Sequence, residues 1–186
     1  MASDTRDRLI RTTSRLLRTQ GYGATGLNQI VAEADAPKGS MYFHFPGGKE
    51  ELAAAALDRF AERVGEAMVR GLGEAGSVAA AIVAFFDDEI ARLERSHFAD
   101  GCPVATVALD ASAAHDALAT STGRAFEHWT ALVAEALEAE GRTSEAAHAG
   151  GVVFLAAFEG ALVMAKAQRS IEPMVVVRDS IEALLG

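Results

Sequence analysis

Lys38, Ser40, Tyr42 and His44 lie within nine residues, Pro37-Lys38-Gly39-Ser40-Met41-Tyr42-Phe43-His44-Phe45. An ammonium, a hydroxyl, a phenol and an imidazole can each meet a phosphate oxygen or the edge of a base. Met41 and Phe45 are apolar and four apart, so on a helix they share one inward face. Tyr42 and His44 are poor choices for an ordinary solvent face. Lys49 follows at the start of another helix, where the helix dipole disfavours a cation unless an anion is near. A phosphate would be such an anion. The chain shows no catalytic set: nucleophile–base spacing, a phosphate loop and a metal motif are all missing. His97, His115, His128 and His148 share no helix at ligand spacing, so we expect no metal and no cofactor.

The elements that must hold these groups are helices. Ser3 or Asp4 can cap a first helix to about Gln20, with Leu9, Thr13, Leu16 and Leu17 on one face. Gly21-Tyr22-Gly23 ends it. Thr25 or Gly26 caps a short helix burying Leu27, Ile30 and Val31, which stops near Ala34. Asp35 falls where the turn needs a left-handed residue. Pro37 then opens the short helix carrying Lys38 to His44. Two short helices joined by such a turn form a helix-turn-helix, a device that places its second helix in the DNA major groove. Gly48 begins a long helix in the manner of a capping box with Glu51, and Leu52, Ala56, Phe60, Val64 and Met68 recur along it.

Beyond Gly76 the periodicity predicts a helix through Ile82, Phe86 and Leu93, a turn at Asp100-Gly101-Cys102-Pro103, and a short helix over about 104–111. A longer helix follows over about 113–139, with Phe126, Trp129 and Val133 in phase. The segment from Ser144 to Gln168 is apolar nearly all round and must be covered on more than one side. Pro173 starts a last helix with Val176, Ile181 and Leu184 or Leu185. The reading is all-α, about ten helices: a three-helix head over 1–47 and a larger body over 48–186.

Composition agrees. Half the residues are apolar and Pro is scarce. One Cys excludes an internal disulfide framework. No apolar run approaches the roughly 20 residues that cross a bilayer, and the acid-containing N-terminus is neither a signal nor a transit peptide. The expectation is a soluble, cytoplasmic protein with no membrane partner. Net charge is −9, yet residues 1–50 carry seven basic and five acidic side chains. A mildly basic head on an acidic body suits a nucleic-acid-facing head.

Gly21-Tyr22 through Leu52, above all Pro37 to Leu52, resembles the head of TetR-family transcriptional regulators. Gly101-Cys102-Pro103-Val104-Ala105 followed by Val107-Ala108-Leu109-Asp110 is similar to the LmrA/YxaF branch, some members of which respond to flavonoids. The resemblance implies a homodimeric repressor that binds a palindromic double-stranded DNA operator and releases it when a small apolar or aromatic effector enters the body. By position, Lys38, Ser40, Tyr42 and His44 are DNA contacts, with Thr25, Gly26 and Lys49 near the backbone. Gly39 permits close approach, and Asn28 or Gln29 are further candidates for reading bases. Asp35 departs from the family, where Gly is usual.

For the effector pocket the candidates are Phe85, Phe86, Phe98, Phe126, Trp129, Phe154 and Phe158, with Glu89 and Glu159 interrupting apolar faces. Ordinary core packing competes for each aromatic, and a salt bridge for each carboxylate. Cys102 joins this set as a possible thiol sensor, although no basic neighbour lowers its pKa. The last two helices form the expected dimer face. The alternative reading is a helical enzyme acting on a small apolar substrate, with Glu89, Glu159 or His128 as acid or base.

Overall fold

The computed structural model describes residues 2–111 and 113–181. Among the described residues it contains nine helices: α1 (Ala2–Ala24), α2 (Leu27–Glu33), α3 (Lys38–His44), α4 (Gly48–Glu74), α5 (Val78–Arg95), α6 (Pro103–Asp110), α7 (Asp116–Ala139), α8 (Ser144–Gln168) and α9 (Glu172–Asp179). The all-α expectation holds. Leu184 and Leu185 lie outside the described residues.

Two compact units emerge: Met1–Glu62 with Cys102–Ala125, and Arg63–Gly101 with Phe126–Gly186. In the first, α1 buries Leu9, Ile10, Thr13, Leu16 and Leu17, a stripe with the period of one helix face. Ser3 and Asp4 sit inside α1 instead of capping it, and Asp4 pairs with Arg8 at 2.8 Å. The helix continues past Gln20 only by breaking at Gly21 (φ 75°, ψ 177°), a conformation open to glycine alone. Ile30, Met41 and Phe45 fill the space beneath α1. Gly26, not Thr25, caps α2, and Asp35 takes the left-handed conformation with φ 48°. Arg8 donates to the Ala34 carbonyl at 3.0 Å and the Asp35 carbonyl at 2.9 Å, satisfying acceptors that the end of α2 leaves open. At the start of α4, Glu51 accepts from the Gly47 N–H at 2.7 Å, a capping contact one residue earlier than expected.

In the second unit, Ser77 caps α5 by accepting from the Ala80 N–H. Thr143 does the same for α8 through Ala146. Helix α8 corrects one expectation: it has 25 residues, and an 18-residue stretch of it has a mean hydropathy of 1.6, so it is long and apolar enough to cross a membrane. A packing reason for this apolarity is visible, since Phe154, Leu155, Phe158, Ala161, Leu162 and Ala165 are buried. At Gly151 a Cβ would come within 2.7 Å of the Thr130 carbonyl oxygen. The missing side chain lets α7 and α8 meet backbone to backbone.

Candidate nucleic-acid interface and effector pocket

Helix α3 turns two faces to two environments. Met41 and Phe45 are 0% and 1% exposed, whereas Tyr42 is 48% and Phe43 76% exposed. Lys38 and Gly39 share the outer side, and Ser40 and His44 are half-buried at its margins. The sequence reading passed over Phe43. It lies two residues from both Met41 and Phe45, about 200° around a helix from each, and that offset was the available signal. A Cβ added at Gly39 would meet no described atom within 4 Å, and the same is true at Gly26.

Thr25, expected near the DNA backbone, keeps its side chain inside the protein. It is fully buried, and its hydroxyl donates to the Gly21 carbonyl. Gln29 is already engaged, donating to Glu33 at 2.9 Å and accepting from Gln20 at 3.0 Å. Arg15 also reaches Glu33, joining α1 to α2. Those bonds, Arg15 first and Gln29 second, hold the Glu33 carboxyl below its ordinary pKa. Asn28 is exposed.

Lys49 has partners within the protein. Its ammonium donates to the Tyr22 carbonyl at 2.7 Å and stands 3.9 Å from the centre of the Tyr22 ring. Burial pushes its pKa down, with Asp110 opposing. The cation at this helix start is therefore accommodated by a carbonyl and a π-face, without an external anion. Tyr22 is shifted up, first by burial and then by Glu50 and Asp110. His115 meets the Tyr22 ring edge-on at 5.0 Å between centroids, and its Nδ1 lies 3.0 Å from Glu50. Asp110 accepts from the Tyr22 and Gly23 N–H groups. None of this cluster except Lys49 was singled out as a site residue from sequence, because its members come from four separate segments.

In the second unit the phenylalanines do assemble. Phe85 lies 5.0 Å from Phe158 and 6.0 Å from Phe154, and Phe86 lies 5.4 Å from Phe158. Phe85 and Phe154 line a cavity of about 110 Å³ with Met68, Leu72, Ile82 and Val133. Phe86 and Phe158 are core, at 0% and 5% exposure. Phe126 and Glu159 belong elsewhere, to a groove of about 540 Å³ between α7 and α8 that Thr130, His148, Leu155 and Ala156 also line. Trp129 packs edge-on against Phe126 and is buried.

Three further effector candidates lie outside these two cavities. Glu89 forms an ion pair with Arg92 one turn along α5, which accounts for its place in an apolar face. Phe98 sits half-buried in the left-handed conformation after α5 and lines neither cavity. Cys102 belongs to the first unit, where its Sγ caps α6 by accepting from the Ala105 N–H at 3.5 Å.

The exposed outer face of α3 and the apolar spaces of the second unit agree with the comparisons. Residues 9–56 match the model of bacterial regulatory proteins of the tetR family. Residues 78–180 match the C-terminal domain of LmrA/YxaF-like transcriptional regulators. The HTH-type transcriptional regulator YxaF of Bacillus subtilis is 32% identical over 98% of this chain and 95% of its own. LmrA of the same organism is 30% identical over 98% and 97%. The regulatory protein TetR from Rhodobacter sphaeroides shares the fold, with a TM-score of 0.84 and 22% identity over 96% of this chain and 97% of that one. The chain belongs to the TetR family, in its LmrA/YxaF-like branch, and is a DNA-binding transcriptional regulator rather than an enzyme.

Proposed function

We propose that this regulator is a cytoplasmic homodimeric repressor that sets α3 of each copy into a major groove of a roughly palindromic operator. It leaves the operator when a small apolar or aromatic effector enters the body. The observation that carries the reading is the outer face of α3: Lys38, bare Gly39, Tyr42 and Phe43 exposed above fully buried Met41 and Phe45. Lys38 and Ser40 face base edges, while Tyr42 and His44 hold phosphates. Lys49 and Gly26 stand at the margin of the contact. An operator filled by a dimer is closed to transcription, so repression is the regulatory sense proposed.

The dimer face is the outer stripe of α8 with α9. Val152, Val163, Met164 and Val176 are each about half exposed, with Ala156 and Gly160 also exposed between them. Their spacing follows one side of α8, and two such helices pair with their symmetry mates as a four-helix bundle.

For the effector, the cavity beside Phe85 and Phe154 is well below the roughly 300–1,000 Å³ of drug-sized sites. A ligand there must part the Ala67–Leu72 stretch of α4 from α5. Because α4 runs on into the head, that displacement favours a conformation with altered heads. The ligand acts only through its differential affinity for the two states.

The test is selection of bound duplexes from a random pool by the purified protein, followed by affinity at two salt concentrations. A recovered palindrome whose binding weakens as salt rises supports the reading. No enriched sequence would sink it.

A further inference from the structure

Phe43 is the most exposed aromatic among the described residues, at 76%. Among the described residues its ring partner is His44, edge-on at 5.1 Å. One turn earlier on the same side stands Gly39, where a Cβ would meet no described atom within 4 Å. Glycine inside an exposed helix is less favourable than alanine, and no described neighbour requires it here. Gly39 and Phe43, four residues apart, share the outer side of α3, and a Cβ at Gly39 would lie more than 4 Å from every described atom of Phe43. The open backbone at Gly39 and the exposed Phe43 ring both face whatever approaches α3 from outside.

In a major groove almost every exposed base edge is a hydrogen-bond donor or acceptor, and a phenyl ring satisfies neither. The exception is the C5-methyl group of thymine. Phosphates offer the ring no apolar partner. Tyr42, less exposed at 48% and ending in a hydroxyl, suits the backbone; Phe43 does not. We infer that Phe43 is a specificity-determining residue, reading a thymine methyl group in each half-site of the operator. This rests on the reading that α3 enters the major groove.

The test starts from the duplex that the wild-type chain selects out of a random pool. That duplex is resynthesised with deoxyuridine replacing one thymidine at a time, which removes only the methyl group. The wild-type chain should lose about threefold to tenfold in affinity at one such position per half-site. Phe43→Ala should bind the thymidine and deoxyuridine forms of that position equally. Phe43→Leu, still apolar, should keep a preference for thymidine. If the wild type binds every deoxyuridine duplex as tightly as its parent, or Phe43→Ala keeps the wild-type ratio, the assignment is overturned while DNA binding stands. A wild-type chain that enriches no duplex overturns both. The deoxyuridine series on the wild type needs no variant to fold.

Discussion

The Asp110 carboxylate, at the end of α6, accepts hydrogen bonds from the backbone N–H groups of Tyr22 at 3.1 Å and Gly23 at 3.3 Å. Lys49 of α4 holds the carbonyl of that same Tyr22 at 2.7 Å. One residue at the broken end of α1 is thereby gripped on both sides of its backbone, by helices far apart in the chain. The break at Gly21 is what turns those N–H groups out of the helical ladder and toward α6.

Asp110→Ala should lower stability by about 1.5–3 kcal/mol, the range for hydrogen bonds to a charged acceptor. Urea unfolding followed by circular dichroism measures it. An unchanged midpoint would mean that the carboxylate contributes nothing to this junction.

Two glycine substitutions should behave oppositely. At Gly21 a Cβ would lie 2.9 Å from the Asp110 Oδ2 and 3.3 Å from the Thr106 Cγ2, on a backbone with φ 75°. Gly21→Ala should cost about 2–4 kcal/mol. Gly39→Ala meets open space and should stabilise the isolated protein by up to about 1 kcal/mol, while weakening DNA binding. Melting curves and operator titrations of both variants give the comparison; a Gly39→Ala protein with full affinity would refute a close approach at that position.

The Glu33 carboxyl is held below its ordinary value of 4.5 in the folded state by Arg15 and Gln29. A depressed carboxyl pKa contributes stability that is present above the unfolded value and lost as pH falls through the folded one. Thermal melting between pH 6 and pH 3 should therefore fall more steeply for wild type than for Glu33→Gln. The difference should be small and shrink with added salt, because the group is exposed. Parallel pH profiles would contradict the assignment.

Tyr42→Ala should weaken operator binding about fivefold to fiftyfold, by a similar factor on related operator sequences, since a phosphate contact positions without specifying. Sedimentation should show the oligomer intact. A loss confined to certain base sequences would move Tyr42 from the backbone to the bases.

Val163→Glu places a carboxylate on the exposed side of α8, in the proposed dimer face, where Val163 is 54% exposed. Sedimentation equilibrium should show a monomer with unchanged helix content, since desolvating a charge in an apolar interface is prohibitive. Persistence of the dimer would put its interface elsewhere.

Much of this molecule is local and could be read from residue order. Apolar residues at helical spacing marked the helices, Met41 and Phe45 pointed inward, and Asp35 occupied the left-handed turn position. Each of these depends on neighbours within a few residues, so periodicity and turn chemistry suffice. The TetR-like head was legible for the same reason, as one continuous stretch. What tertiary structure decided was the partner of each polar group. Thr25 went to Gly21 inside the fold, Lys49 to Tyr22, and Glu89 to Arg92. Asp110 found N–H groups 88 and 87 residues away, which set α6 in the same unit as the head. A side chain's type states which bonds it can make. Only the packed fold determines which partner lies within 3 Å, and whether water, protein or DNA is left to complete the rest.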